Sequence, residues 1–160
     1  MSIEILQYNE VFSGLYMIDG VKITPLAVIP VPGGDVLHAM KSTDSGYVGF
    51  GEAYFSIIQT DVIKAWKRHK YMHLNLVVPV GEVKFVLFDD RKATENGEFQ
   101  EIILSREDYF RLTVPPMVWF GFQGLAHEDS MLLNMANIAH LATEVDRKAL
   151  DEISYDWSGA

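Results

Sequence analysis

The chain has no cysteine among its 160 residues. That removes disulfides, thiolate nucleophiles and cysteine-bound metals, and it fits a reducing compartment such as the cytoplasm. Positive charge is scarce too. Lys and Arg number 13 against 22 Asp and Glu, a net charge of −9. The basic footprint that holds nucleic acid is missing, so no nucleic-acid partner is expected. No apolar run approaches the length of a membrane span, and no membrane partner is expected. The opening MSIEILQYNE has neither a basic n-region nor an apolar h-region, so no signal peptide is expected. No glycine-rich phosphate loop precedes a helix, and no nucleophile elbow accompanies the serines. No repeat, linker or low-complexity stretch divides residues 1–160, which read as one domain large enough for a sizeable core.

What is present is mostly strand. Val21–Ile29 alternates and is rich in branched residues, then Pro30, Pro32, Gly33 and Gly34 interrupt it. Val36–Met40, Glu52–Gln59, Lys84–Phe88, Phe99–Leu104, Phe110–Val114, Trp119–Phe122 and Ser130–Ala136 are further short candidates. Met72, Leu74, Leu76, Val78 and Val80 share one parity and should share one face. Asn96-Gly97 is a hairpin signal and Gly81-Glu82 a turn. Only the tail suggests a helix, with Thr143 as N-cap and two turns over Glu144–Leu150. Many short strands at even spacing predict an all-β jelly roll or barrel with a short C-terminal helix. Leu74, Leu76, Val78, Val83, Phe85, Leu87, Val114 and Phe122 are the expected core.

Against the acidic background, one segment is basic. Lys64, Lys67, Arg68, His69 and Lys70 lie within seven residues. A local cation cluster suits an anionic ligand such as a nucleotide diphosphate. It also suits a solvated strand edge that resists aggregation. If one strand runs on from Lys67, then Lys67, His69, Tyr71, His73 and Asn75 face one way. That polar row lines a pocket if it faces inward and is ordinary surface if it faces water. His38, His69, His73 and His127 are the available imidazoles for a metal. Yet the residues between His73 and Gly81 are uncharged, and the Lys67 ammonium would repel a divalent ion. No metal and no other cofactor are expected. Trp119 and Phe122 could wall a pocket and stack on a base or sugar.

Six pieces in order carry a resemblance: GVKITPL from Gly20, GEAYFS from Gly51, VIKAWKRHK from Val62, GEVKFVLFDDR from Gly81, VPPMVWFGFQG from Val114, and YDW from Tyr155. Together they resemble the dTDP-4-dehydrorhamnose 3,5-epimerase family of cupins, and more closely a divergent branch of it. The resemblance implies a β jelly roll, a homodimer, a nucleotide-linked keto sugar as ligand, and no metal. It places Lys67 where the family has its histidine base and Lys64 where the family has a ligand-contacting arginine. A phosphate-binding arginine falls near Gly33, the family's catalytic lysine near His73 or Leu74, and its tyrosine acid near Leu133. Phe120 replaces a histidine, and the carboxylate that pairs with the base falls beyond Ala160.

Epimerisation beside a ketone needs a base, a cation for the enolate, and an acid. His69 is the better base by intrinsic pKa, and Lys67 serves only if burial and neighbouring cations lower its own. The expected site is therefore Lys67 and His69 for catalysis, with Lys64, His73 and Trp119 around the ligand. Two functions follow. One is an isomerase or epimerase of a nucleotide-linked keto sugar with an altered catalytic set. The other is a catalytically silent cupin that binds a nucleotide sugar or a pathway partner.

Overall fold

Two apolar alternations build the core. Leu74, Leu76 and Val78, then Val83, Phe85 and Leu87, are each 2% exposed or less. Gly81 stands between them with φ of 80°. Its Cα presses against Ser130 so closely that a Cβ would collide. Glycine supplies the left-handed backbone there. The turn joins no hairpin: it is a corner at which the chain passes from one sheet to the other.

The computed structural model describes residues 17–92 and 97–159. Its strands are β1 Lys22–Pro25, β2 Val28–Ile29, β3 Val36–Leu37, β4 Glu52–Ile58, β5 Ile63–His69, β6 Leu74–Val80, β7 Glu82–Asp89, β8 Glu98–Ser105, β9 Phe110–Val114, β10 Trp119–Gly124, β11 Ser130–Ala136 and β12 Val145–Arg147. One sheet runs β1-β9-β6-β11-β4 and the other β12-β5-β10-β7-β8, while β2 and β3 form a separate hairpin. From β4 onward the chain changes sheet at every connection except β7 to β8. That alternation makes the jelly roll. The eight expected core residues are all 5% exposed or less, and they pack with Ile58, Met72, Leu104, Leu112, Phe120 and Leu132 between the sheets.

Three local expectations change. The Val21–Ile29 strand is two strands, broken after Pro25, whose ring cannot donate to a ladder. The C-terminal helix over Glu144–Leu150 does not form. Ala142–Glu144 and Leu150–Glu152 are single 3₁₀ turns, and Val145–Arg147 pairs with β5. An isolated two-turn helix is too short to hold in water, whereas the edge of β5 offers unpaired backbone groups. Trp66 and Lys148 extend the pairing with reciprocal bonds of 3.1 Å. Finally, β5 ends at His69 and β6 begins at Leu74 in the opposite sheet, so no single strand runs from Lys67 to Asn75. Strands β7 and β8 do pair, and Gly97 has φ of 63°. Asn96 and Ile3–Leu6 lie outside the described residues.

Candidate active site

Strand β5 pairs with β10 through a bulge. Lys67 lies opposite Phe120 and Lys64 opposite Phe122, which leaves Ala65 and Trp66 together opposite Gly121. A Cβ at Gly121 would collide with Ala65, so the bulge needs glycine there. The extra residue puts Lys64 and Lys67 on one face although they are three apart. That face is the inner one, because Phe120 and Phe122 belong to the core between the sheets. Lys67 Nζ lies 5.0 Å from the Phe120 ring centre and 5.9 Å from that of Phe122. His69 stacks on Phe120 at 6.1 Å. Exposure falls along the row, from Lys64, which is exposed, through half-buried Lys67, to His69 at 6%.

His69 has a carboxylate. Its Nδ1 lies 2.6 Å from Glu144 Oε2, and Glu144 is itself 3% exposed. The other oxygen, Oε1, accepts from the backbone N–H of Tyr71 at 2.9 Å and of Met72 at 2.8 Å. Burial pushes the Glu144 carboxyl up, but the bonds from His69, Tyr71 and Met72 outweigh it and hold the group below the usual carboxylate range. An ionised carboxylate only accepts, so His69 Nδ1 carries the proton and Nε2 keeps its lone pair. Nε2 is buried and unpartnered. Burial lowers the imidazole pKa; Glu144 opposes that, while Lys67 and His140 add to it. His69 is thus neutral near pH 7, oriented by Glu144, with its free nitrogen turned into the fold.

Lys67 is also displaced. Burial, then Arg147 and Lys64, bring its pKa down from 10.5 to about 8. Among the described residues no carboxylate pairs with it. Lys64 Nζ donates to the Ile57 carbonyl at 3.3 Å, which ties the rim of β5 to β4. On the facing sheet, Asn134 shares the inward parity of Leu132 and Ala136. Its Nδ2 donates to the Tyr54 hydroxyl at 2.8 Å, and its Oδ1 is buried and unpartnered. Leu133, where the family's tyrosine acid falls, has the opposite, outward parity.

Two expected site residues lie elsewhere. Trp119 is adjacent to Phe120 and so faces outward. It packs with Trp66, Val86, Ile153 and Trp157, donates Nε1–H to Asp90 Oδ2 at 3.1 Å, and has Arg68 4.4 Å from its ring. His73 lies in the connection that leads into the other sheet and shares the parity of Asn75, whose amide faces the Gly46 loop. Burial and then Lys22 lower its pKa. The His73 expectation assumed one unbroken strand, whereas for Trp119 it is the neighbouring Phe120 that faces inward. Sequence reasoning offered no carboxylate for His69, and the structure supplies Glu144. A cleft of about 400 Å³ lies along β1, lined by Met17, Val21–Pro25 and Ser45. None of the five expected site residues lines it, and it contains no base. Among the described residues no three His, Asp or Glu side chains converge as a metal-binding group, and no helix is long and apolar enough to cross a membrane.

No family model matches the chain. A dTDP sugar isomerase from Desulfovibrio desulfuricans G20, solved by crystallography, superposes with a TM-score of 0.84 at 34% identity, covering 89% of this chain and 94% of that one. The spore coat polysaccharide biosynthesis protein SpsL of Bacillus subtilis (strain 168) is 23% identical over 147 residues, covering 89% of this chain and 97% of the relative. The probable low-salt glycan biosynthesis epimerase Agl13 of Haloferax volcanii is 27% identical over 84 residues, 51% of this chain and about half of the relative, 54%. A jelly roll shared at this identity, over nearly the whole of a solved isomerase, makes the chain a divergent member of the dTDP-sugar epimerase and isomerase family of cupins, the family of dTDP-4-dehydrorhamnose 3,5-epimerase.

Proposed function

We propose that the chain is a metal-independent isomerase or epimerase acting on a nucleotide-linked keto sugar in carbohydrate biosynthesis. One observation carries the reading: a neutral His69, fixed by Glu144 at 2.6 Å, keeps a free and buried Nε2 on the face shared with Lys67. A histidine so held is a base for a proton beside a ketone. Glu144 holds the tautomer and stabilises the imidazolium once the proton arrives, as the buried acid of a hydrolase triad does. Lys67 activates the carbonyl. Exposed Lys64 stands at the rim, where a diphosphate would meet it, and the sugar would pass inward beyond it. The similarity to a dTDP sugar isomerase supports this ligand class.

The family's conventional residues are changed at Lys67, Phe120 and Leu133, so the chemistry rests on His69, Glu144 and Lys67. The chain is also proposed to act as a homodimer. Phe55 and Ile57 are 62% and 49% exposed on the outer face of β4, and Val80, across β11, is 51% exposed. Neighbouring exposed apolar side chains of this size suit burial against a second copy. Light scattering at micromolar concentration should give twice the chain mass.

The functional test is deuterium incorporation from heavy water into dTDP-, UDP- and GDP-linked 4-keto sugars, followed by NMR. Exchange at a carbon flanking the ketone supports the enzyme. Binding without exchange would leave the silent-binder alternative. Neither binding nor exchange at millimolar ligand would end the nucleotide-sugar reading.

A further inference from the structure

The geometry points to Lys67 as a covalent nucleophile that forms an imine with the sugar ketone, so that the reaction is epimerisation and not migration of the carbonyl. This rests on the nucleotide-sugar reading above and assigns the chemistry within it.

Two buried lysines of the second sheet show why. Lys84, 1% exposed, donates to the carbonyls of Trp157 at 3.2 Å and Gly159 at 2.9 Å. The protein supplies two acceptors to its Nζ. Lys67 has Phe120 and Phe122 against its Nζ and, among the described residues, neither a hydrogen-bond acceptor nor a carboxylate. Its nearest charged influences, Arg147 and Lys64, are both positive. The two ring faces favour an ammonium modestly, but burial and the two neighbouring cations outweigh them and favour the free amine. With a pKa of about 8, about a quarter of the side chain is free amine near pH 7.5, against roughly one part in a thousand for an ordinary lysine. A desolvated lysine flanked by other cations is the arrangement that activates an amine toward carbonyls. The base stands two residues along the same strand on the same face.

The steps balance without oxidant or reductant. The Lys67 Nζ lone pair adds to the ketone carbon, and the carbonyl oxygen takes up a proton from the nitrogen to give a carbinolamine. A second proton reaches that oxygen, the C–O bond breaks, and water leaves an iminium. His69 Nε2 removes the proton from the neighbouring carbon, and the electron pair flows to nitrogen as an enamine. The imidazolium, or water on the opposite face, returns a proton to that carbon. Water then adds back and the amine departs, restoring the ketone where it began. Carbonyl migration would instead leave the lysine joined to the sugar by a single C–N bond, which water does not cleave. The imine therefore selects inversion or exchange at a flanking carbon.

The experiment uses the full chain and a dTDP-linked 4-keto-6-deoxyhexose. Sodium borohydride added during turnover should fix the nucleotide sugar to the protein, with peptide mapping placing it on Lys67. Wild type should also exchange the ketone oxygen with labelled water faster than the uncatalysed rate. Lys67→Met should lose both signals and the deuterium exchange. Lys67→Arg keeps the positive charge, so a purely electrostatic lysine would be rescued by it, whereas an imine-forming one would not. Should Lys67→Met fail to fold by far-UV circular dichroism, wild-type trapping and the arginine variant carry the test. Deuterium exchange without an adduct on Lys67, or exchange in Lys67→Arg within about threefold of wild type, overturns the imine and leaves the isomerase reading intact. Absence of both binding and exchange removes both.

Discussion

The two faces of β5 carry the same kinds of residue in opposite states. On the outer face every cation is answered. Arg68 reaches Asp146 at 2.9 Å and Asp90 at 3.5 Å and lies over Trp119. Nearby Lys84 is capped by two tail carbonyls. Trp66, Trp119, Ile153 and Trp157 close over the surface. On the inner face Lys67 has two ring faces but, among the described residues, no carboxylate, and His69 satisfies one nitrogen and leaves the other bare. Satisfied polar groups hold a fold, and unsatisfied buried ones cost stability. The buried Nε2 of His69, on the face it shares with Lys67, is the unfilled group at which the proposed ligand would sit.

Variants on the two faces should therefore separate activity from stability. The largest effect is expected at His69→Asn, which should lower deuterium exchange by roughly 10²- to 10⁴-fold while ligand affinity changes little. Burial lowers the imidazole pKa from its ordinary 6.5, so the His69 ring, followed by NMR, should titrate below that value, and a midpoint above it would argue against His69 as base. Glu144→Ala comes next. It leaves His69 and the Tyr71 and Met72 N–H groups without their acceptor, and each buried donor so stranded costs about 1–3 kcal/mol. Urea unfolding measures this, and an unchanged midpoint would mean the dyad is not formed.

Lys67→Met should act through pH. The folded lysine binds its proton with a pKa of about 8, whereas an unfolded one keeps 10.5. Between those values the unfolded state holds more protons, so wild-type stability rises with pH across that window by on the order of 2–3 kcal/mol. The methionine variant should lack this rise, and parallel wild-type and variant curves would show that Lys67 is not desolvated. The smallest effect belongs to Trp119→Phe. Losing the bond to Asp90 should cost about 1 kcal/mol and leave sugar affinity unaltered. A large loss of affinity would put Trp119 back in the pocket.

The sheet core was legible because period-two alternation is a local property: Leu74 to Val78 and Val83 to Leu87 reveal their buried face without help from distant residues. Lys67 and His69 were legible as unusual charge in an acidic chain. Glu144 was not, because its partner lies 75 residues away and its neighbours read as a helix start. Only the pairing of β12 with β5 brings it there. Trp119 was misplaced by one residue of parity, since its neighbour Phe120 is the one that faces inward. His73 was misplaced because the chain breaks between β5 and β6, and His73 lies in the connection that leads into the other sheet. Tyr54 and Asn134 carry no pattern of their own and become neighbours only through the β4–β11 ladder.

The crossing of the tail over β5 has a consequence for biosynthesis. A ribosome delivers His69 long before Glu144, and β12, Trp157 and the groups that clasp Lys84 emerge later still. Until they arrive, the imidazole lacks its carboxylate and the outer tryptophans have no cover. The proposed base is therefore completed only when the segment that closes the second sheet has been made.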